Sequence, residues 1–295
     1  MIPGARPEAG RASRTDGRGR EHHASSGGRR GVKYRVVVLA QFLLAALVLV
    51  SQALSPEVVA RRLQERDLGR DSRADMRMRI YDRQGRVRER TLLILRLRGK
   101  AGEGDKALIR FLSPNDIKGT ALLVWEHPNA DDERFLYLPA LGRVRRIAGE
   151  EKQQSFVGSD LSYEDIGGRD LADYTYAYAD ENAAWTAPDG AKLPAWALES
   201  RAKDRNADFP RSVSLVLKDR FVIGHSDIYN QRNERAKIFD VRRLDRVDGI
   251  LTVLDLVVSN EIQKTRTELT TTSIRYNVGL TDNDFTRRQL EQGSQ

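Results

Sequence analysis

The chain has no cysteine among its 295 residues. It therefore has no disulfide bond, no thiol nucleophile and no cysteine to which a lipid anchor could be attached. A body of this length can bury enough apolar surface without covalent cross-links, so the absence of cysteine does not argue against export from the cytoplasm.

Histidine is also scarce, and the usual catalytic motifs are missing. The chain has four histidines, and the two beyond the N-terminal region, His127 and His225, lie far apart without the spacing of metal ligands. No Gly-x-Ser-x-Gly motif occurs. Residues 102–107 (GEGDKA) imitate a dinucleotide fingerprint, but a strand pattern follows them instead of a helix. The sequence therefore predicts no enzyme activity, no metal site and no cofactor.

The positive charge of the chain is concentrated at one end. Of the net charge of +8, residues 1–53 supply +6, from nine Lys or Arg and three acidic residues. The remaining 41 basic and 39 acidic residues leave the body at +2. A nearly neutral body is a poor electrostatic footprint for nucleic acid, which is therefore not an expected partner.

A long hydrophobic run is missing as well. The apolar run from Val36 to Val50 has 15 residues and includes Gln41, whereas a helix needs about 20 to cross a bilayer. Lys33 and Arg35 precede the run, and small residues at 51–53 follow it, which is the order of a secretory signal. We predict a signal peptide over 32–53 and export to the periplasm. A retained inner-membrane anchor is the alternative.

This leader divides the chain into three parts. Residues 1–31 are rich in Gly, Arg and Ser and are predicted to form a disordered basic tail. A true start codon near Val32 would leave that tail untranslated. Cleavage after Ala53 would release residues 54–295 as a single domain.

Short strand patterns fill this domain. Met76, Met78 and Ile80 alternate with arginines, and Asp248-Gly249 is a strong hairpin signal. Ser55 and Pro56 predict the start of a helix that needs a sheet to cover, and a short helical piece is expected near residues 160–166. We predict a mainly β fold of about eleven antiparallel strands, as a sandwich or a barrel.

The region from Lys106 to Ile166 has a different pattern. Residues 121–125 and 135–138 are apolar at both strand parities, which predicts strands that are covered on both faces. The large side chains of this region form either a filled core or the lining of a cavity. They are Phe111, Leu123, Trp125, Phe135, Tyr137, Phe156 and Tyr163.

Two polar groups in the same region have alternative interpretations. The basic residues Arg143, Arg145, Arg146 and Lys152 form either a solvated strand face or a contact for acidic lipid head groups or a protein partner. The acidic residues Glu164 and Asp165 suggest the carboxylate pair of a hydrolase. We favour a turn or a helix cap for them, with Asp160 at the start of a helical turn, because no acid–base partner is fixed nearby.

The central region resembles the outer-membrane lipoprotein-sorting family, relatives of the periplasmic carriers LolA and LolB. The motifs that carry the resemblance follow the order of the family. They are Arg110-Phe111-Leu112-Ser113-Pro114, Lys118-Gly119-Thr120, Tyr137-Leu138-Pro139-Ala140-Leu141, Val144-Arg145-Arg146-Ile147, Phe156-Val157-Gly158-Ser159-Asp160 and Tyr163-Glu164-Asp165.

The resemblance implies a strongly curved antiparallel sheet, a half-open barrel, with helices covering its concave face. It implies a carrier that binds the acyl chains of a lipid or lipoprotein in an apolar cavity lined by the large side chains named above. An inner-membrane RND/MMPL-type transporter is the implied partner. The alternatives are a membrane-tethered accessory or sensor domain of such a transporter, and a hydrolase that uses Glu164 or Asp165.

Overall fold

The computed structural model describes residues 54–100, 102–128, 130–167 and 171–292. The predicted tail, the signal peptide and the cleavage site after Ala53 lie outside these residues. Within the described part of the chain, no helix combines the length and the apolar character that crossing a membrane requires.

The described residues form a mainly β fold with three short α-helices. These are α1 (Pro56–Glu65), α2 (Tyr163–Gly167) and α3 (Arg287–Gln292). The strands are β1 (Asp71–Tyr81), β2 (Val87–Leu97), β3 (Lys106–Ser113), β4 (Ala121–Trp125), β5 (Glu133–Leu138), β6 (Arg143–Ile147), β7 (Tyr174–Asp180), β8 (Ala184–Thr186), β9 (Lys192–Ala202), β10 (Arg211–Leu217), β11 (Ile223–Tyr229), β12 (Arg235–Val247), β13 (Ile250–Asn260) and β14 (Thr265–Tyr276).

The described strands number fourteen, so the predicted count of about eleven is wrong. β8 has only three residues, too few for a periodic pattern. β12 has 13 residues but carries many basic side chains where a half-buried strand would be expected to show apolar ones. Its place in the sheet is determined instead by its pairing with β11 and β13.

All fourteen strands belong to one antiparallel sheet, which is open. The order is β6-β5-β4-β3-β2-β1-β14-β13-β12-β11-β10-β9-β7, with β8 paired to β9 beyond this path. β6 and β7 are therefore the two edges. The predicted hairpin at Asp248-Gly249 is confirmed: Val247 pairs with Ile250, and both turn residues have positive φ, at 51° and 80°.

The sheet is strongly curved, as predicted. β6 and β13 are seven steps apart in the sheet order, which in a flat sheet would separate them by roughly 34 Å. Nevertheless, Ile147 of β6 and Val258 of β13 belong to the same buried cluster. That cluster also contains the large apolar side chains of residues 149–167, a segment that we call the plug. The plug therefore lies on the concave face of the sheet.

Helix α1 covers the same concave face. Its start is as predicted, with the Ser55 Oγ accepting a hydrogen bond from the Val58 N–H at 3.4 Å. Val59 packs with Leu198 of β9. Residues that pair directly across an antiparallel sheet share a face. Leu198 is connected to Ile80, beside the plug, by successive directly paired residues on neighbouring strands. These are Ser214, Ser226, Phe239, Val258 and Thr267.

The convex face of β2–β6 is covered by the C-terminal segment, residues 280–290. Phe285 and Leu290 are buried there among side chains of β2–β6. Buried Arg110 donates hydrogen bonds from its guanidinium to the carbonyl oxygens of Gln289 and Leu290, and Trp125 Nε1 donates to the Phe285 carbonyl at 2.8 Å. The central strands are therefore covered on both faces, as their pattern predicts.

Candidate functional site

The plug enters the concave face as a tight loop. The Phe156 N–H donates to the Leu161 carbonyl at 2.7 Å, which closes the loop behind the Phe156 ring. At its tip, Val157 and Gly158 have φ values of 51° and 73°. A β-branched residue rarely adopts this left-handed conformation, so contacts with the sheet must hold Val157 in place.

Two arginines of β2 provide such contacts. The Arg90 guanidinium donates to the Val157 carbonyl, and Arg88 donates to the Gly158 carbonyl at 3.4 Å. Arg90 is buried and lies over the Phe111 ring, 5.6 Å from its centroid. A buried guanidinium needs hydrogen-bond acceptors, so the tip of the plug and this arginine stabilise each other.

Asp160 ties the plug to β14, on the other side of the tip. Its carboxylate accepts hydrogen bonds from the hydroxyls of Thr265 and Thr267, the latter at 2.7 Å. Its backbone N–H donates to Thr267 Oγ1 at 2.9 Å. Both Asp160 and Thr267 are buried. Asp160 therefore anchors the plug to the sheet. The prediction that Asp160 begins a helical turn is wrong.

The predicted helix near residues 160–166 is confirmed as α2, and Asp165 caps it. The Asp165 N–H donates to Ser162 Oγ at 3.0 Å, while the Ser162 N–H donates to Asp165 Oδ2 at 2.9 Å. This reciprocal pair is a capping box. Lys237 Nζ of β12 lies 3.5 Å from the same Asp165 oxygen, and both side chains are 8% exposed. Asp165 therefore has the predicted capping role, together with a contact to the sheet.

Three of the predicted cavity residues meet at the plug. The Phe111 and Phe156 ring centroids lie 5.5 Å apart, and the Tyr163 ring meets Phe156 edge-on at 5.6 Å. Around them lie apolar side chains of β1–β6 and β13. These three residues form one contiguous apolar contact between the plug and the concave face.

The other four predicted cavity residues lie on the convex face. Leu123, Trp125, Phe135 and Tyr137 pack under the C-terminal segment. The Trp125 and Phe135 rings meet edge-on at 5.2 Å, and the Arg287 guanidinium lies 4.0 Å from the Phe135 centroid. The structure therefore divides the predicted set of seven between two faces of the sheet. Their role in ligand binding stays a prediction.

Two clefts border the plug. A cleft of about 350 Å³ lies between residues 153–161 of the plug and strands β1, β2 and β12–β14. A second, of about 780 Å³, lies between the plug and the loop that joins β9 to β10. Gln153, Asp208 and Phe209 line both. Solvent-accessible space therefore reaches both sides of the plug, and its apolar side chains point into the sheet.

The predicted basic cluster does not form one surface. Arg145 pairs with Glu151 of the plug at 2.9 Å, Lys152 with Asp131 at 3.5 Å, and Arg146 with Glu133 at 3.8 Å. Arg145 and Arg146 are neighbours on a strand, so their side chains point to opposite faces. Arg143 is exposed at the start of β6.

The sequence analysis missed the residues that hold the plug. They are Arg88, Arg90, Lys237, Thr265 and Thr267. Each lies on a strand whose other concave-facing residues include apolar ones, for example Leu92 beside Arg90 and Phe239 beside Lys237. A polar residue at an otherwise apolar parity is the only signal that the sequence offers for them, because their partners are distant in the chain.

Outside the plug, Glu126 is the described residue with the most perturbed carboxyl. Burial, followed by the nearby charges of Asp105 and Asp132, raises the pKa of Glu126 from 4.5 to about 7. It follows β4, where its backbone N–H donates to the Asp105 carbonyl at 2.9 Å. Between about pH 4.5 and 7 the folded protein therefore holds a proton on Glu126 that the unfolded chain would release.

We expect this proton to make stability depend on pH. Because the pKa of Glu126 is raised in the folded protein, the stabilisation by its proton is fully present below pH 4.5 and is lost as the pH rises through about 7. Glu126→Gln should therefore raise the free energy of unfolding by about 1–3 kcal/mol at pH 8. At pH 4.5 it should have little effect. Chemical denaturation at both pH values, with exposed Glu103→Gln as the control, measures the difference; an equal gain at both would contradict the assignment.

Solved structures of other proteins share this open curved sheet. A LolA superfamily protein from Nitrosomonas europaea matches 80% of this chain and 100% of its own with a TM-score of 0.60 at 14% identity, which shows the fold alone. A putative outer membrane lipoprotein-sorting protein domain from Vibrio parahaemolyticus is 28% identical, with a TM-score of 0.72 over 80% of this chain and 98% of its own.

A more specific match gives the family. A family model described as an uncharacterized protein matches residues 103–292. A DUF1329 family protein from Desulfovibrio piger is 32% identical, with a TM-score of 0.72 over 80% of this chain and 97% of its own. The chain belongs to the DUF1329 family, and the resemblance to the outer-membrane lipoprotein-sorting proteins is confirmed. No curated protein matches the chain.

Proposed function

We propose that this protein is a periplasmic carrier that binds an acyl chain of a lipid or lipoprotein in the place of the plug. The observation that carries the proposal is the nature of the plug contact. The apolar side chains of the plug pack against the apolar concave face of the surrounding strands, a surface that we call the trough. Polar groups at the periphery of the plug hold it there. Its relative from Vibrio parahaemolyticus, by name a putative lipoprotein-sorting domain, supports the same function.

The energies of the exchange are comparable. An acyl chain that buries about twelve methylenes gains about 10 kcal/mol. Withdrawing Phe156, Leu161 and Tyr163 from the trough costs about 1.5–3 kcal/mol each, or roughly 5–9 kcal/mol together. The loss of the polar anchors adds to that cost. A ligand that barely outcompetes the plug binds reversibly, which a carrier that delivers its cargo to an acceptor needs.

The plug also explains how the ligand would be released. When the acyl chain leaves, the plug returns and removes the apolar trough from water. The acceptor then needs only a modest advantage in affinity over this protein. A transporter in the inner membrane remains the proposed donor or acceptor, as the family resemblance implies.

A pair of matched substitutions tests the proposal. Phe156 and Phe285 are both 1% exposed, but Phe156 lies in the plug on the concave face and Phe285 under the convex face. Phe156→Leu and Phe285→Leu should therefore cost similar stability. Only Phe156→Leu makes the plug easier to displace. We expect it to bind a fluorescent fatty-acyl probe more tightly by about tenfold, the equivalent of 1.4 kcal/mol.

The control variant should bind the probe as the unmodified protein does. Titration of the probe, followed by its fluorescence, measures the affinity, and thermal unfolding verifies that both variants are folded. Equal probe affinities for Phe156→Leu and Phe285→Leu would refute displacement of the plug. Extraction of the purified protein and mass spectrometry of bound lipids identifies the natural cargo.

A further inference from the structure

Strand β6 leaves one edge of the described sheet open. In the sheet order it is the terminal strand and pairs only with β5, through residues Arg143–Ile147. Alternate backbone N–H and C=O groups along its other edge therefore have no strand neighbour within the sheet. Such an edge is a template on which another extended chain can pair.

A basic groove runs beside this edge on the convex face. It has a volume of about 600 Å³, and Phe135 and Val144 line it. The charged residues around it are Arg143, Arg146, Arg287 and Glu291. Three cations and one acid surround apolar side chains, and the Arg287 guanidinium is held over the Phe135 ring at 4.0 Å. Carboxylates on an incoming strand would be attracted here.

We propose that β6 is a docking edge for an extended segment of a partner protein in which acidic residues alternate with apolar residues. The segment adds to the sheet as a further strand. Because strand side chains alternate between faces, all its carboxylates meet the groove on the convex face. Its apolar residues lie on the concave side, next to Ile147. This inference does not rest on acyl binding, since the open backbone edge and the groove on the convex face carry it.

Charge and geometry favour this occupant over three others. A second copy pairing through its own β6 would place arginines opposite arginines, which is destabilising. Residues 1–53 of this chain carry a net charge of +6, the same sign as the groove. A flat membrane surface would contact cations on one face of the strand only. Arg145 and Arg146 point to opposite faces, and each is already paired with an acid.

Binding of a synthetic peptide tests the proposal. The probe is a fluorescein-labelled, end-capped peptide of eight residues that alternates Glu and Val, and its anisotropy is followed during titration with the protein. Two further peptides carry methyl groups on one or the other alternate set of backbone nitrogens. An added strand pairs through only one of its edges, so one methylated peptide should bind about tenfold more weakly and the other as the parent does.

Variants of the protein test the charge. Arg143→Glu combined with Arg146→Glu should weaken binding of the parent peptide by about tenfold or more. Arg83→Glu combined with Arg232→Glu changes the net charge equally at exposed residues that do not line the groove, and should leave the affinity unchanged. Equal affinities for both methylated peptides, or equal losses in both double variants, would refute strand addition.

Two other results would also overturn the proposal. One is binding to phosphatidylglycerol vesicles that depends on Arg143 and Arg146 while the peptide does not bind, which would assign the edge to a membrane surface. The other is concentration-dependent dimerisation abolished by the same two substitutions. The fatty-acyl probe, titrated in the same variants, reports separately on the trough, so failure of either idea is recognisable.

Discussion

A disulfide between residues 160 and 267 is expected to abolish acyl binding, and its reduction to restore it. Asp160 Oδ2 and Thr267 Oγ1 are 2.7 Å apart, so Asp160→Cys combined with Thr267→Cys places two thiols across the contact between plug and sheet. The chain has no other cysteine. When the bond forms, the plug cannot leave the trough, and we expect the affinity for a fatty-acyl probe to fall by about 100-fold.

The reduced form of the same variant should bind the probe at least as well as the unmodified protein. It lacks the carboxylate and hydroxyl that anchor the plug to β14, so the closed state is less stable. The control is Thr91→Cys combined with Ser113→Cys, whose native hydroxyls are 2.7 Å apart on the paired strands β2 and β3. Its oxidation should leave the affinity unchanged. If the oxidised 160–267 variant binds the probe normally, the ligand does not displace the plug.

The sequence was sufficient to predict strands that are covered on both faces. Residues 121–125 are apolar throughout, and four of these five side chains are buried. In the structure, Leu122 and Val124 face the plug while Leu123 faces the C-terminal segment. Alternation along a strand is a local property, so it can be predicted from the chain without knowledge of its partners.

The assignment of large side chains to one cavity depended on more than alternation. Phe111 and Leu123 belong to different strands, and whether they share a face depends on the register between β3 and β4. The structure pairs Leu108 with Leu123, which places Phe111, three residues further along, on the opposite face. Register is determined by pairing and by the turn between the strands, and the fully apolar pattern of β4 fits either register.

The polar residues that anchor the plug could not be predicted from the sequence, for a related reason. Arg90 and Val157 are 67 residues apart in the chain, and Asp160 and Thr267 are 107 apart. An arginine on a strand is ordinarily a solvated side chain. Arg90 becomes a buried donor only because the plug folds back across the concave face, and no local sequence pattern predicts that packing.

Replacing Leu123 by Asn is expected to unfold the protein. Leu123 is 0% exposed and packs under the C-terminal segment with Phe135 and Phe285. The Asn variant loses the apolar contact and leaves an amide without partners in the core, which together cost about 4–7 kcal/mol. That is comparable with the whole stability of a typical domain, about 5–15 kcal/mol. Leu112→Asn is the control, because Leu112 is 41% exposed on β3.

The milder change Leu123→Ala connects this prediction to ligand binding. It should lower the free energy of unfolding by about 2–5 kcal/mol and leave the affinity for the acyl probe unchanged, because Leu123 lies on the face opposite the trough. Thermal unfolding and probe titration measure the two quantities on the same samples. A folded Leu123→Asn variant with weakened probe binding would mean that water and ligand reach the convex side, and that the acyl site lies under the C-terminal segment instead of the plug.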